Sequence, residues 1–236
     1  MAVPAPGEAA SAAAAPGKRR ARRRRTASRL FRFDRALGSR FVAGADEAGR
    51  GSLAGPLVAA AVLLDYARLT TREVRALTRL DDSKAHDIEQ REALYPIVVR
   101  TAVRVAVTSR CVRGIDERGL HVTNLAALRD TLRRVAVPGT LCLVDGFRVG
   151  DIGYRQEAVV DGDARSAAIA AASVIAKVTR DRYMHRIADD FPGWDFQSHV
   201  GYSTPDHRAT IAKLGITDLH RRSFQSIAYQ QLAIEG

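Results

Sequence analysis

The chain has 236 residues and a formal net charge of +11, with 37 Lys and Arg against 26 Asp and Glu. This length suits one domain with a sizeable core, and no apolar run approaches the roughly 18 residues that a membrane span needs. The two cysteines, Cys111 and Cys142, form no disulfide framework, which indicates a reducing, cytoplasmic setting. We expect both to be buried as small apolar side chains.

The positive charge is concentrated at the N-terminus. Residues 1–40 contain 11 Lys and Arg against 2 acids, whereas the remaining 196 residues contain 26 against 24. Because a run of like charges repels itself and buries no core, we predict a disordered tail over residues 1–28 and a folded domain over 29–236. The order of the tail, small apolar residues before basic ones, does not fit a secretory signal. An organelle transit peptide stays open as an alternative.

The hydrophobic pattern after the tail predicts a mixed α/β domain with a helical C-terminal portion. The predicted strands are 41–47, 57–64, 101–108, 140–145 and 156–160, and the glycine-rich turn between the first two would allow them to pair antiparallel. The predicted helices are 72–80, 86–100, 121–136, 164–190, 205–214 and 223–233. Pro96 is expected to kink or end the second helix.

Two adjacent carboxylates, Asp46 and Glu47, follow the first apolar run and precede a turn with glycines at 49 and 51. Paired carboxylates repel each other, and a bound hard cation such as Mg²⁺ or Mn²⁺ usually neutralises their charge. Residues 49–54 also match the dinucleotide fingerprint G-x-G-x-x-A, although two acids before that turn would repel a pyrophosphate. A purely structural acidic turn is the third interpretation.

Two further acids stand in comparable places. Asp145 ends the apolar run 140–145 and is followed by glycine, as at the end of the first strand. Asp163 comes just before the long predicted helix, where it could also serve as an N-cap. Since sites in α/β sheets form at the carboxyl ends of strands, we expect these acids to meet the Asp46 pair.

Several ordered motifs together resemble bacterial ribonuclease HII, and the match spans about residues 41–225. These motifs are residues 44–51 (GADEAGRG), 82–84 (DSK), 144–146 (VDG), 162–163 (GD), 170–181 (AAASVIAKVTRD), 201–204 (GYST) and 220–224 (HRRSF).

The resemblance implies a ribonuclease H-like fold with a central mixed five-stranded sheet and flanking helices. It implies cleavage of RNA paired with DNA, including single ribonucleotides embedded in duplex DNA, with 5′-phosphate and 3′-hydroxyl products. By position in the motifs, the catalytic carboxylates and metal ligands would be Asp46, Glu47, Asp145 and Asp163. Two Mn²⁺ or Mg²⁺ ions would be the cofactors, and the enzyme would act as a monomer.

The resemblance also implies the substrate contacts. The loop Gly49, Arg50 and Gly51 would read the 2′-hydroxyl at the RNA–DNA junction, and Tyr202 would pack on the neighbouring deoxyribose. The other contact candidates are Ser83, Lys84, Ser173, Lys177 and Arg180. Lys177 and Arg180 are expected to contact phosphates from a polar stripe of the long helix, and Asp181 to pair with Arg182 or Arg186. The same stripe could also be only a solvated helix face.

Some features depart from the family or leave rivals open. Ser52 stands where the family often has proline, and Asp161 where a lysine often precedes the Gly-Asp pair. Ribonuclease HIII is a rival, but 28 to 40 N-terminal residues cannot form its additional substrate-binding domain. A non-catalytic nucleic-acid-binding protein is another rival. Residues 231–234 (QLAI) faintly resemble a sliding-clamp peptide, which a final helix would explain more simply.

Overall fold

The protein is described by a computed structural model over residues 29–77, 80 and 88–224. The strands are β1 (Phe41–Ala48), β2 (Leu57–Asp65), β3 (Arg104–Arg110), β4 (Thr140–Asp145) and β5 (Arg155–Val159). They form one five-stranded sheet in the order β3-β2-β1-β4-β5. β1 pairs antiparallel with β2 and parallel with β4, so the predicted mixed sheet and its first antiparallel pair are confirmed.

The helices pack on both faces of this sheet. They are α1 (Thr71–Ala76), α2 (Ile88–Thr101), α3 (Val112–Arg118), α4 (Leu120–Val135), α5 (Ala167–Ile187), α6 (Phe196–His199) and α7 (Pro205–Leu214). Residues 29–36 are also helical, and short 3₁₀ turns cover Gly162–Ala164 and Ala188–Asp190. In the part of the chain that is described, no helix combines the length and apolar character required to cross a membrane.

The alternation of β1 divides the core into two halves. Val42 packs with the buried stretch of α5, whereas Ala43 and Ala45 pack with Leu128 and Leu132 of α4. Successive side chains of a strand point to opposite faces, so residue 46 belongs to the α5 face and residue 47 to the α4 face. This register decides where the two adjacent carboxylates of β1 go.

The start of α5 is fixed by two oxygen acceptors. The Ser166 hydroxyl accepts a hydrogen bond from the Ile169 amide at 3.2 Å, and the buried Asp34 carboxylate accepts one from the Ala168 amide at 3.0 Å. Both satisfy amides that have no partner within the helix. Burial is the main cause that raises the pKa of Asp34 to about 6. The helix thus begins at Ala167, and not at residue 164 as predicted.

Other sequence expectations need correction. α2 continues through the exposed Pro96 to Thr101, so of the two expected effects Pro96 does not have the second, that of ending the helix. The third strand is therefore Arg104–Arg110, in register with β2 from Leu63 to Leu57. Cys142 is buried as expected, but Cys111 is exposed. Of the predicted helix 223–233, residues 225 onward lie outside the part of the chain that the structure describes.

Candidate active site

Four carboxylates lie around one cleft at the carboxyl ends of β1 and β4. Asp46 and Glu47 lie near the end of the strand β1, Asp145 is the final residue of β4, and Asp163 lies in the 3₁₀ turn that leads into α5. Because β1 and β4 are parallel neighbours, their carboxyl ends meet at the same edge of the sheet. The cleft has a volume of about 440 Å³ and is lined by Asp46, Glu47, Ala48, Gly49, Arg50, Gly51, Arg91, Asp145, Asp163, Ser173, Val174, Lys177 and Tyr202.

Asp46 and Glu47 reach the cleft from opposite faces of the sheet. Asp46 lies on the α5 face, where Ser173 donates a hydrogen bond to its carboxylate, while Glu47 lies on the α4 face and is hydrogen-bonded by Asn124. β4 pairs with β1 only as far as Ala45, so both acids extend beyond the paired part of β4. Both carboxylates can therefore reach the cleft from the end of a regular strand.

Asp145 is fixed by the turn that carries Asp163. Its Oδ1 accepts a hydrogen bond from the Gly162 amide at 2.7 Å. A Cβ on Gly162 would lie 3.0 Å from that same oxygen and 2.6 Å from the Ile169 side chain. The residue before Asp163 must therefore be glycine for the turn to approach Asp145 so closely.

Burial and mutual repulsion both act on the two acids at the end of β1. Burial, followed by the charge of Glu47 and then that of Asp145, raises the pKa of Asp46 to about 8. Burial also raises the pKa of Glu47, although Arg50 opposes the shift with its guanidinium 3.6 Å from a carboxylate oxygen. A raised carboxylate pKa means that the negative charge is unfavourable in its surroundings, and a bound cation would stabilise that charge.

The donor set fits a hard divalent cation. All four acids offer oxygen atoms, the ligands that Mg²⁺ and Mn²⁺ prefer, and none of the described residues that line the cleft is a cysteine or a histidine. Among the residues described, no three His, Cys, Asp or Glu side chains are already arranged to hold an ion. The chemistry of the donors therefore suits such ions.

The predicted substrate residues mostly meet at this cleft. Gly49, Arg50 and Gly51 follow β1, and Tyr202 joins the same loop through a β-bridge with Ser52. Ser173 and Lys177 reach the cleft from α5. Ser83 and Lys84, the remaining pair before α2, lie outside the described residues.

Lys177 has two neighbours within the protein. Its ammonium donates to the Asp181 carboxylate at 2.9 Å and lies 4.6 Å from the centre of the Tyr202 ring. Asp181 therefore pairs with Lys177, and not with Arg182 or Arg186 as the sequence suggested. Arg182 instead binds Glu92 of α2.

Arg180 does not fit the predicted role of a phosphate contact. Its side chain is fully buried, and its guanidinium donates to backbone carbonyls of Ala54, Pro56 and Val200. A guanidinium enclosed in this way cannot reach a phosphate in the cleft. The polar stripe of the long helix is not a solvated face either. Ser166, Ala170 and Met184 share its helical spacing with Lys177 and Arg180, and all three are buried.

The sequence did not reveal three residues beside the site. Arg91 lines the cleft from α2, and Asn124 of α4 is the hydrogen-bonding partner of Glu47. Phe147, two residues after Asp145, is 46% exposed, and its ring centre lies 5.5 Å from the Arg50 guanidinium. In the sequence, Phe147 was marked only by its position directly after the motif 144–146 (VDG). Nothing in the pattern of an amphipathic helix distinguishes Arg91 or Asn124 from its neighbours.

Comparison with known proteins gives a consistent result. A family model for ribonuclease HII matches residues 43–227. The chain is 42% identical over 206 residues to ribonuclease HII of Burkholderia ambifaria, covering 87% of this chain and 92% of that protein. It is 46% identical over 187 residues to ribonuclease HII of Rhizobium leguminosarum bv. trifolii, covering 79% and 78%.

Solved structures share the fold. Ribonuclease H2 of Pyrococcus horikoshii matches with a TM-score of 0.67 at 24% identity, covering 83% of this chain and 98% of that one. Ribonuclease HII of Archaeoglobus fulgidus, solved in a complex with PCNA, matches with a TM-score of 0.66 at 28% identity, covering 79% and 94%. Bst-RNase HIII, solved with Mn²⁺, matches with a TM-score of 0.67 at 20% identity, covering 86% and 72%. The ribonuclease H-like α/β fold expected from the sequence is thereby confirmed.

Proposed function

This chain belongs to the ribonuclease HII family, and from that premise we propose that it cleaves ribonucleotides within duplex DNA as well as the RNA strand of RNA–DNA hybrids. The proposed reaction is endonucleolytic hydrolysis with the aid of two divalent ions, leaving 5′-phosphate and 3′-hydroxyl ends. The observation that supports it best is the meeting of four carboxylates with a glycine-rich loop and Tyr202 at one cleft.

The proposed ligands are Asp46, Glu47 and Asp145, with Asp163 completing the site. Bound Mg²⁺ or Mn²⁺ would supply an activated water and stabilise the leaving oxygen. The protein contributes orientation: Ser173 and Asn124 hold the two carboxylates of β1, and the Gly162 amide holds Asp145. Pre-oriented ligands lower the entropic cost of assembling the site.

Recognition of a ribonucleotide must depend on its 2′-hydroxyl, the group that distinguishes RNA from DNA. The Gly49-Arg50-Gly51 loop lies at the cleft without a Cβ at either glycine, so its backbone can approach a sugar closely. Tyr202, bridged to Ser52, lies beside that loop. We assign the 2′-hydroxyl contact to the loop and the contact with the adjacent deoxyribose to Tyr202. Lys177 and Arg91 are the cations at the cleft that we assign to phosphates.

We further propose that the enzyme acts as a cytoplasmic monomer. Interaction with a sliding clamp is a subsidiary proposal that rests on the sequence of residues 231–234, which lie outside the described residues, and on the PCNA complex of the Archaeoglobus relative.

The test compares three duplexes in Mg²⁺ or Mn²⁺: one with a single embedded ribonucleotide, one fully hybrid and one of DNA alone. We expect incision of the first two and no cleavage of the third. Efficient cleavage of the hybrid with poor cleavage of the single ribonucleotide would instead indicate a ribonuclease HIII-like specificity. Binding without cleavage in either metal would indicate a non-catalytic protein.

A further inference from the structure

The loop between β1 and β2, residues 49–56, rests on two buried arginines that come from distant parts of the chain. Arg180 extends from α5, and Arg221 follows α7. Both side chains have 0% exposure. A buried guanidinium is costly unless most of its donors are satisfied, so its contacts identify what it holds in place.

Arg180 binds two parts of the site simultaneously. Its Nε donates to the Pro56 carbonyl at 3.0 Å and its Nη2 to the Ala54 carbonyl at 2.9 Å. Its Nη1 donates to the Val200 carbonyl at 2.8 Å, two residues before Tyr202. Its Cζ lies 5.1 Å from the centre of the Tyr202 ring.

Arg221 holds the same loop at two other carbonyls. Its Nε and Nη2 donate to the Gly55 carbonyl at 3.1 and 2.9 Å, and its Nη1 donates to the Arg50 carbonyl at 3.0 Å. The Arg221 amide also donates to the Leu53 carbonyl at 2.9 Å. The carbonyls of residues 50, 53, 54, 55 and 56 are therefore all engaged by these two arginines.

The glycines of the loop make room for this arrangement. Gly49 and Gly55 both have a φ of +86°. A Cβ on Gly49 would lie 2.1 Å from the Arg180 Nε, and one on Gly55 would lie 2.4 Å from the Met184 sulfur and 3.2 Å from the Arg180 Nη2. The first glycine of the loop thus serves the packing of Arg180 as well as any approach of a ligand.

The loop and the Tyr202 segment are also joined directly. The amides of Leu53 and Ala54 both donate to the Gly201 carbonyl, at 2.9 and 3.2 Å. Since Arg180 holds the carbonyls on both sides of this contact, it fixes the distance between the loop and Tyr202.

We propose that Arg180 and Arg221 are positioning residues that set the geometry of the 49–56 loop relative to Tyr202, and that this geometry determines how well a lone ribonucleotide is recognised. Neither side chain contacts the substrate. The inference rests on the proposed function, because it assigns the two arginines to the loop and the tyrosine that read the junction. A planar guanidinium with several fixed donors can hold three carbonyls at once, whereas a lysine ammonium cannot reproduce that pattern.

The experiment uses Arg180→Lys and Arg221→Lys in the full chain. The matched control is Arg40→Lys, which removes a guanidinium with two hydrogen bonds to Asp65 at the opposite end of β1. We measure kcat and KM on the single-ribonucleotide duplex and on the full hybrid, together with hydrogen exchange of the Leu53 and Ala54 amides. For the two site variants we expect kcat/KM to fall about tenfold more on the single ribonucleotide than on the hybrid, with faster exchange at both amides. The control should change neither the ratio nor the exchange.

Combination with Tyr202→Ala separates positioning from a general loss of stability. If Arg180 acts through the tyrosine, Arg180→Lys should add little further loss on the single ribonucleotide in the Tyr202→Ala background. Equal losses on both substrates, additivity with Tyr202→Ala or unchanged amide exchange would each overturn the inference. If the parent enzyme does not cut single ribonucleotides, the proposed function fails, and the exchange measurement still decides whether the arginines hold the loop. If Arg180→Lys does not fold, the same measurements on Arg221→Lys support or overturn the inference.

Discussion

Gly44 of β1 lies against the backbone of Ala168 in α5, so closely that a Cβ on Gly44 would come within 2.1 Å of the Ala168 carbonyl carbon. The long helix therefore packs directly on the strand that carries Asp46. This contact brings Ser173 within hydrogen-bonding reach of Asp46 and places the start of α5, with Asp163, beside the end of β4. The distance between strand and helix is a condition for the site.

Gly44→Ala should therefore cost about 3 kcal/mol or more in the free energy of unfolding, because backbone atoms cannot move aside as a side chain can. The measurement is denaturant unfolding of the full chain. Gly51→Ala is the matched control, since a Cβ at Gly51 would meet nothing within 4 Å. Equal stability of the two variants would contradict the close contact between α5 and β1.

Asp46→Asn should abolish most cleavage in Mg²⁺ or Mn²⁺ while stabilising the metal-free protein at neutral and alkaline pH. Because the folded-state pKa of Asp46 is raised to about 8, its contribution to stability is largest below the unfolded pKa near 4 and is lost as the pH rises to 8. The gain in Tm over the parent should thus be small at pH 4 and reach several degrees at pH 8. Thermal unfolding in a chelator checks this.

Asp65→Asn is the control for that experiment. Hydrogen bonds from Arg40 are the main cause that lowers the pKa of Asp65, so its replacement should lower the Tm at neutral pH and leave cleavage intact. Near-normal cleavage by Asp46→Asn, or a lower Tm for it at pH 8, would refute the assignment of Asp46 to a repulsive metal site.

Tyr202→Ala should reduce cleavage at a single ribonucleotide roughly tenfold to a hundredfold, since a stacking-type contact contributes ~1–3 kcal/mol. Tyr202→Phe keeps the ring and its neighbours Lys177 and Arg180, so it should retain most of the activity. Single-turnover kinetics with both variants gives the comparison. Parental rates for Tyr202→Ala would assign the tyrosine to structure alone.

The protein should lose stability between about pH 6.5 and pH 4 through a buried histidine cluster. Burial is the main cause that lowers the pKa of His207 and His220 to about 4, and their Nε2 atoms lie 3.1 Å apart. A histidine with a depressed folded-state pKa stabilises the fold above its unfolded pKa, and this stability is lost as the pH falls towards the folded value. His207 also contacts the Tyr202 carbonyl through Nδ1 at 2.9 Å, so acid should loosen the Tyr202 segment.

Unfolding free energies measured from pH 7 to pH 4 in His220→Gln check this. The variant should show a shallower decline with acid than the parent, because it removes one of the two depressed histidines. His121→Gln, which replaces a histidine outside the cluster, should decline as the parent does. An identical pH dependence for His220→Gln and the parent would exclude the cluster as the cause.

Deletion of residues 1–28 should weaken binding to any duplex without changing junction preference. The segment contains Lys18 and six arginines between Arg19 and Arg25. Each phosphate that a cation neutralises releases counterions, so the slope of log K against log salt should flatten by a few units. Binding titrations over a range of salt concentrations measure this. An unchanged slope would leave the tail without a role in binding, and a lost preference would mean that the domain begins before residue 29.

The sequence was sufficient to place the acids because their positions depend on local rules. An apolar run followed by acids and glycine predicts a strand that ends at a polar edge, and β1 and β4 both follow that pattern. The first antiparallel pair was suggested by the glycine-rich turn between two apolar runs, and the mixed five-stranded sheet by the resemblance to a family. Asn124 could not be predicted as a partner of Glu47, because that contact joins β1 to a helix more than seventy residues later in the chain.

Arg180 shows most clearly what only the tertiary structure decided. In the sequence it shares a helical stripe with Lys177, and both carry a positive charge that would suit a phosphate. In the folded chain Lys177 lies at the cleft, whereas Arg180 lies beneath the 49–56 loop with its donors on backbone carbonyls. Helical spacing shows which side chains share a face of the helix. Whether a given side chain on that face is buried depends on which distant loop packs over it. The sequence thus determined which residue types could act on a phosphodiester, and packing determined which of them reach it.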